Sequence, residues 1–170
     1  MLKSLFLALQ QRILTAGLGI KHLDWFNNQY ADQDPENRNE GDFDYPAVFV
    51  EFLPMQFQTH GPVQKCRLRF RVHVVTLNYA HSRYGISEQT KALEHLDLSE
   101  RLYRTLQRLR VVDGQGLTIC NTCTRTMLTT DHGQTNQIVN IQEFETTAFD
   151  HSARKQWVAV APKQNIETSL

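Results

Sequence analysis

The stretch KCRLRFRVHVVT, Lys65 to Thr76, constrains this chain more than any other. Leu68, Phe70, Val72 and Val74 alternate with Arg67, Arg69, Arg71 and His73. Successive side chains of a strand point to opposite faces, so this period of two specifies a long strand with one apolar and one basic face. The fold must therefore contain a sheet with one face of this strand buried.

The neighbouring segments supply partners. PAVFVEFLPMQFQ predicts a strand beginning at Ala47, with Val48, Val50 and Phe52 on one face and Ala47, Phe49 and Glu51 on the other. Pro54 cannot donate to a ladder, so the strand should end or bulge there. THGPV reads as a turn, which makes Lys65–Thr76 the return arm of a long hairpin. LTICNTCTRTMLTT and QIVNIQEFETTAFD, joined by the turn DHGQTN, predict a second hairpin. KQWVAVAP is expected to add a short final strand, and IKHLDWF could form another.

Two helices separate these elements. Leu2, Leu5, Phe6, Leu9, Ile13 and Ala16 recur every three or four residues, an amphipathic stripe closed by Gly17 and Gly19. A second helix is expected from an N-cap at Ser87 to about Arg110, with Leu93, Leu96, Leu102, Leu106 and Leu109 as its stripe. Between the first helix and the first long strand, residues 27–45 form an acidic, aliphatic-poor loop. Loops of this length are usually functional or disordered. The expected architecture is α+β: an antiparallel or mixed sheet of two hairpins, flanked by two main helices. Residues 1–154 would make one domain, and 155–170 a C-terminal extension.

Charge and cysteine content narrow the function. The 170 residues carry 18 basic and 18 acidic side chains, for zero net charge. A protein that grips nucleic acid over a wide area is usually basic, so the arginine row is a local feature. Three cysteines, Cys66, Cys120 and Cys123, do not make a disulfide framework. The apolar opening stops at Gln10, Gln11 and Arg12, short of a signal peptide. No run reaches about 18 uninterrupted apolar residues, so no membrane span is expected. The chain is expected to be a soluble intracellular product, or one assembled inside a cell.

Nothing points to catalysis. Cys120-Asn-Thr-Cys123 has redox-like spacing, but residues i and i+3 of a strand face opposite ways and no second ligand pair exists. Seven histidines show no helical ligand spacing. The acidic stretch lacks the glycine offset and following helix of a calcium loop. Phosphate-binding, nucleophile-elbow and dinucleotide motifs are absent. The expectation is no enzyme, no cofactor and no metal.

Three roles remain open for Arg67, Arg69 and Arg71. They could bind phosphates, although no aromatic residue interleaves on their face. They could lie across from Glu143 and Glu145, which alternate on the last long strand. They could meet the acidic surface of another copy, because acid is concentrated at residues 32–51 and head-to-tail contacts join two different patches. Asp32, Asp34, Asp42 and Asp44 would then be the next candidates for contact.

Taken in order, the N-terminal helix, the acidic loop, YPAVFVEF, RLRFRVHVVT, LDLSERLYRTLQ and IQEFETTAFD resemble the phage tail terminators. These are the tail-completion or head–tail neck proteins. The likeness runs from Met1 to about Asp150, and lies in the order of elements rather than in catalytic residues. It implies an α+β virion protein forming a hexameric ring that caps the tail tube. Its partners would be other copies of itself, the tail tube protein and the head–tail connector, with DNA passing unheld through the lumen. The long loop and the extension depart from the smaller members.

Overall fold

The computed structural model describes residues 1–30, 43–60, 63–77, 80, 82–132 and 136–152. The chain runs α1 (Leu2–Thr15), β1 (His22–Trp25), β2 (Ala47–Phe52), β3 (Phe57–His60), β4 (Val63–Leu77), α2 (Gln89–Leu106), β5 (Val111–Val112), β6 (Thr118–Cys120), β7 (Thr124–His132) and β8 (Gln137–Asp150). All eight strands join one sheet in the order β1-β2-β4-β8-β6-β5, with β3 also on β4 and β7 also on β8. β1 pairs with β2 in parallel and the other pairs are antiparallel, so the sheet is mixed and the fold is α+β.

The centre of the sheet is the pair β4–β8, in register from Gln64↔Asp150 to Leu77↔Gln137. The strands assigned by pattern to two separate hairpins thus lie side by side. β2 and β3 follow one another along the opposite edge of β4, interrupted at 53–56 where Pro54 falls. The proline break therefore leaves β3 free to continue the pairing.

Both helices cover one face of the sheet. Leu5, Leu9 and Ile13 of α1, and Leu98, Leu102 and Leu106 of α2, pack on Val48, Val50, Leu68, Phe70, Val72, Val74 and Phe144. The alternation of β4 creates this core, since each second residue enters it. Phe70 and Phe144 stack at its centre, with ring centroids 5.4 Å apart. Burying each such side chain contributes roughly 1.5–3 kcal/mol.

The second helix departs from expectation in three ways. It begins at Gln89, with Glu88 rather than Ser87 at the N-cap and no side-chain cap. It ends at Leu106 rather than Arg110. Gln107 turns to ψ 130°, and Arg108 donates to the Cys123 carbonyl while Cys123 donates to that of Leu109. Backbone pairing with another segment captures the last expected turn. The buried stripe is Ala92, Leu98, Ser99, Leu102 and Leu106, whereas Leu93 and Leu96 are exposed.

The expected strand over LTICNTCTRTMLTT is broken at 121–123 into β6 and β7. This break overturns the expectation that Cys120 and Cys123 point apart. Both are buried in the helix-side core and their thiols hydrogen-bond to each other. That bond, with burial, pushes the Cys123 thiol well above its usual range. Among the described residues no cluster of three or more His, Cys, Asp or Glu side chains could hold a metal. The expected KQWVAVAP strand and the extension 155–170 lie outside the described residues.

The ends of the acidic loop are not simply polar loop. Phe43 and Tyr45 are buried with Ala47, Phe49, Val75 and Val139 on the face away from the helices, and Phe26 and Tyr30 pack against them. A second, smaller core thus caps one end of that face. The other end carries the arginines.

Candidate functional site

The face of the sheet away from the helices holds the site. On β4, Arg67, Arg69, Arg71 and His73 project to it, because their alternate neighbours fill the helix-side core. Register then places Glu145 beside Arg69 and Glu143 beside Arg71. The shortest contacts are diagonal as well as direct. Arg67 reaches Glu145 at 2.6 Å, Arg69 reaches Glu143 at 3.6 Å, and Arg71 Nε donates to Glu143 at 3.1 Å. Arg71 also lies 3.5 Å from Glu51 of β2. The result is a lattice of alternating charge across three adjacent strands.

Solvent exposure grades this lattice. The Glu143 side chain is 9% exposed, and Arg71 35%, whereas Arg67 is 76% exposed. The pairs near Glu143 are therefore shielded, and the Arg67 pair is screened by water and salt. A concavity of about 990 Å³ opens over the exposed end. Pro54, Met55, Gln56 and Thr126 line it together with Arg67 and Glu145.

At the shielded end lies a cluster that sequence reasoning did not assemble. His73 is 3% exposed, with Nδ1 3.0 Å from the Tyr30 hydroxyl and Nε2 3.2 Å from Glu51 Oε2. A carboxylate only accepts, so Nε2 carries the proton and Nδ1 accepts from the Tyr30 hydroxyl. One neutral tautomer satisfies both partners. Phe26 stacks on the imidazole, with centroids 4.3 Å apart and planes 7° apart. Burial pushes the His73 pKa down, opposed by Glu51. Burial, then the charges of Asp131 and Glu51, pushes the Tyr30 hydroxyl up to about 12. Tyr30 is the one aromatic residue in the stretch 27–42, and that isolation is the signal that could have singled it out.

The structure therefore brings together Arg67, Arg69, Arg71, Glu143 and Glu145, and adds Glu51, His73 and Tyr30. Asp44 is elsewhere. It lines a cavity of about 630 Å³ beside α2, with Lys21, Lys91, His95 and Arg101. Asp32, Asp34 and Asp42 lie outside the described residues.

This arrangement fixes positions well. Antiparallel strands slipped by one residue would present arginine to the wrong face and separate every guanidinium from its carboxylate. As an anion surface it is weak. Each guanidinium already faces a carboxylate, and Asp131, across from Val139 on the same face, adds a further negative charge.

No family model matches the chain, and no curated protein matches it. Among solved structures, it is similar to a chain from the virion of a native gene transfer agent (GTA) particle, with a TM-score of 0.51 and 13% sequence identity. The superposition covers 87% of this chain and 96% of that one. At this identity the likeness is one of fold.

Proposed function

We propose that this chain is a structural virion protein that forms a ring at the head-proximal end of a phage-type tail. There it caps the tail tube and joins it to the head connector. The observation that carries this reading is the fold shared with a chain of a gene transfer agent virion, which spans nearly all of that chain. The order of elements that resembles the tail terminators supports the same assignment. The work is geometric rather than catalytic: a closed ring, taken here as a hexamer, offers one surface to the tube and another to the connector. DNA passes through without being held.

The charged lattice fits this role. Its exposed end, Arg67 with Glu145 over the concavity, can exchange partners with a second copy, while the shielded end around Glu143 holds the sheet in register. Charged contacts of this kind set partner choice and register more than affinity. Nucleic-acid binding by the same arginines is disfavoured, because each already faces a carboxylate.

The test is assembly. Purified protein, alone and with tail tubes, is examined by mass measurement and negative-stain microscopy, and rings or capped tubes are expected. Arg67→Glu, at the exposed end of the lattice, should impair rings while far-UV circular dichroism stays native. A chain that remains monomeric and leaves tubes uncapped would refute the assignment. DNA binding that falls steeply with added salt would favour a phosphate-binding surface instead.

A further inference from the structure

The two sides of the sheet end in open edges of unlike kind. β7 pairs with β8 and, among the described residues, with no other strand. Its register irregularity is confined to Arg125–Met127, and from Met127 to His132 it runs in step with β8. Natural edge strands are commonly blunted by lysine, proline, a bulge or an inward charge. Thr126 to Thr130 has no proline and no charge, and it exposes Met127 (41%) and Leu128 (50%) on opposite faces. Such an edge is a ready template for another strand.

On the far side, two strands compete to be the matching edge. β1 and β3 are each four residues long, and β1 exposes Trp25 (42%), but the Trp25 carbonyl already accepts from the Gln29 amide at 2.6 Å. β3 pairs only with β4 among the described residues, and it exposes Phe57 (42%). Register decides which faces would meet. Phe57 pairs with Cys66, which points into the helix-side core. Leu128 pairs with Gln142, whose amide reaches Ser99 of α2 on that same face. Two exposed apolar side chains thus stand at opposite edges of one sheet and on one face of it.

We propose that the outer edge of β7 in one copy pairs with the outer edge of β3 in the next. The sheet then continues from copy to copy, and Phe57 meets Leu128 across each junction. Because the two edges differ, the contact is head-to-tail, the kind that closes into a ring when the rotation permits. Backbone hydrogen bonds supply the pairing, and the two apolar side chains fix its register. The proposal rests on the ring reading only for the presence of a neighbouring copy.

Full-length Phe57→Cys and Leu128→Cys variants, mixed and oxidised with copper–phenanthroline, test it. Both variants also carry Cys66→Ala, because Cys66 faces position 57 across the β3–β4 pair and would capture the new thiol; Cys120 and Cys123 are buried and keep background low. Cross-linked dimers should appear in the mixture and not in either variant alone. Each variant should keep the Tm of the Cys66→Ala parent, because both sites are exposed. Rings without the mixed cross-link would overturn the edge pairing and leave the ring standing. A chain monomeric under all conditions would overturn both. Leu128–Leu128 cross-links would show a symmetric contact and overturn the head-to-tail register. Hydrogen exchange provides a further arm. Slow exchange in the dilute monomer at the outward-pointing β7 amides, those not bonded to β8, would mean that the chain's own residues cover this edge, and would overturn the proposal.

Discussion

Removing the Glu143 carboxylate should destabilise the protein measurably, and removing that of Glu145 should not. The contrast follows from exposure. Glu143 is 9% exposed and faces Arg71 at 3.1 Å and Arg69 at 3.6 Å. Breaking a fully buried pair costs roughly 3–5 kcal/mol, because a charge is left without a partner. Arg71 is spared that extreme, since it is 35% exposed and keeps Glu51 at 3.5 Å. Exposed pairs contribute about 0–1 kcal/mol. Glu143→Ala should thus cost about 1–2 kcal/mol, between these limits. For a domain of this size, 1 kcal/mol shifts Tm by about 2–4 °C, so the expected loss is about 2–8 °C. Glu145→Ala should leave Tm within error, because its partner Arg67 is 76% exposed. Thermal and urea unfolding of Glu143→Ala, Arg71→Ala and the double variant measure the coupling directly. A value of about 1 kcal/mol is expected, whereas independent sites add within about 0.3–0.5 kcal/mol. Equal Tm for the two glutamate variants, or a coupling inside that additive range, would refute the graded-exposure account of the lattice.

Leu102→Ala should cost about 2–5 kcal/mol by opening a cavity in the core. Leu96→Gln should stay within about 0.5 kcal/mol, because the side chain already faces solvent; a large loss on chemical denaturation would put the buried stripe of α2 elsewhere. Tyr30→Phe should cost about 1 kcal/mol, the worth of its hydrogen bond to His73, in urea unfolding at neutral pH. The pH dependence follows from the lowered pKa of His73. Its ordinary value is 6.5 and burial brings the folded-state value below that. Between the two values the unfolded chain binds more protons, so stability falls as pH drops from 6.5 through the folded pKa. Scanning calorimetry of wild type and His73→Gln should show a steeper acid decline for wild type; parallel curves would remove His73 as the cause.

Much of the fold was legible because period-two alternation leaves little freedom. The apolar face of β4 could only be core, and its basic face could only be the other side. The opening stripe of α1 was equally plain, with Leu5, Leu9 and Ile13 all buried. The α2 stripe was not. Leucines at 93, 96, 98, 102, 106 and 109 offer two overlapping stripes at helical spacing. Only packing on the sheet selects the one through Leu98, Leu102 and Leu106. The end of α2 was hidden for a related reason, since residues far along the chain capture Arg108 and Leu109 through Cys123.

The candidate site divides the same way. That arginines alternate on one strand and glutamates on another is a property of the sequence. Which arginine meets which glutamate depends on the β4–β8 register, and that register is set by core contacts such as Phe70 on Phe144. Tyr30, Glu51 and His73 belong to three different segments, and no local pattern links them. The sequence by itself determined the faces of the strands and the charges upon them, because side-chain direction follows from backbone periodicity alone. The tertiary structure decided the order of strands, the pairing of charges, the meeting of Cys120 with Cys123 and the two edges that stay unpaired among the described residues. Those depend on contacts between residues distant in the chain, whose energies no local spacing records.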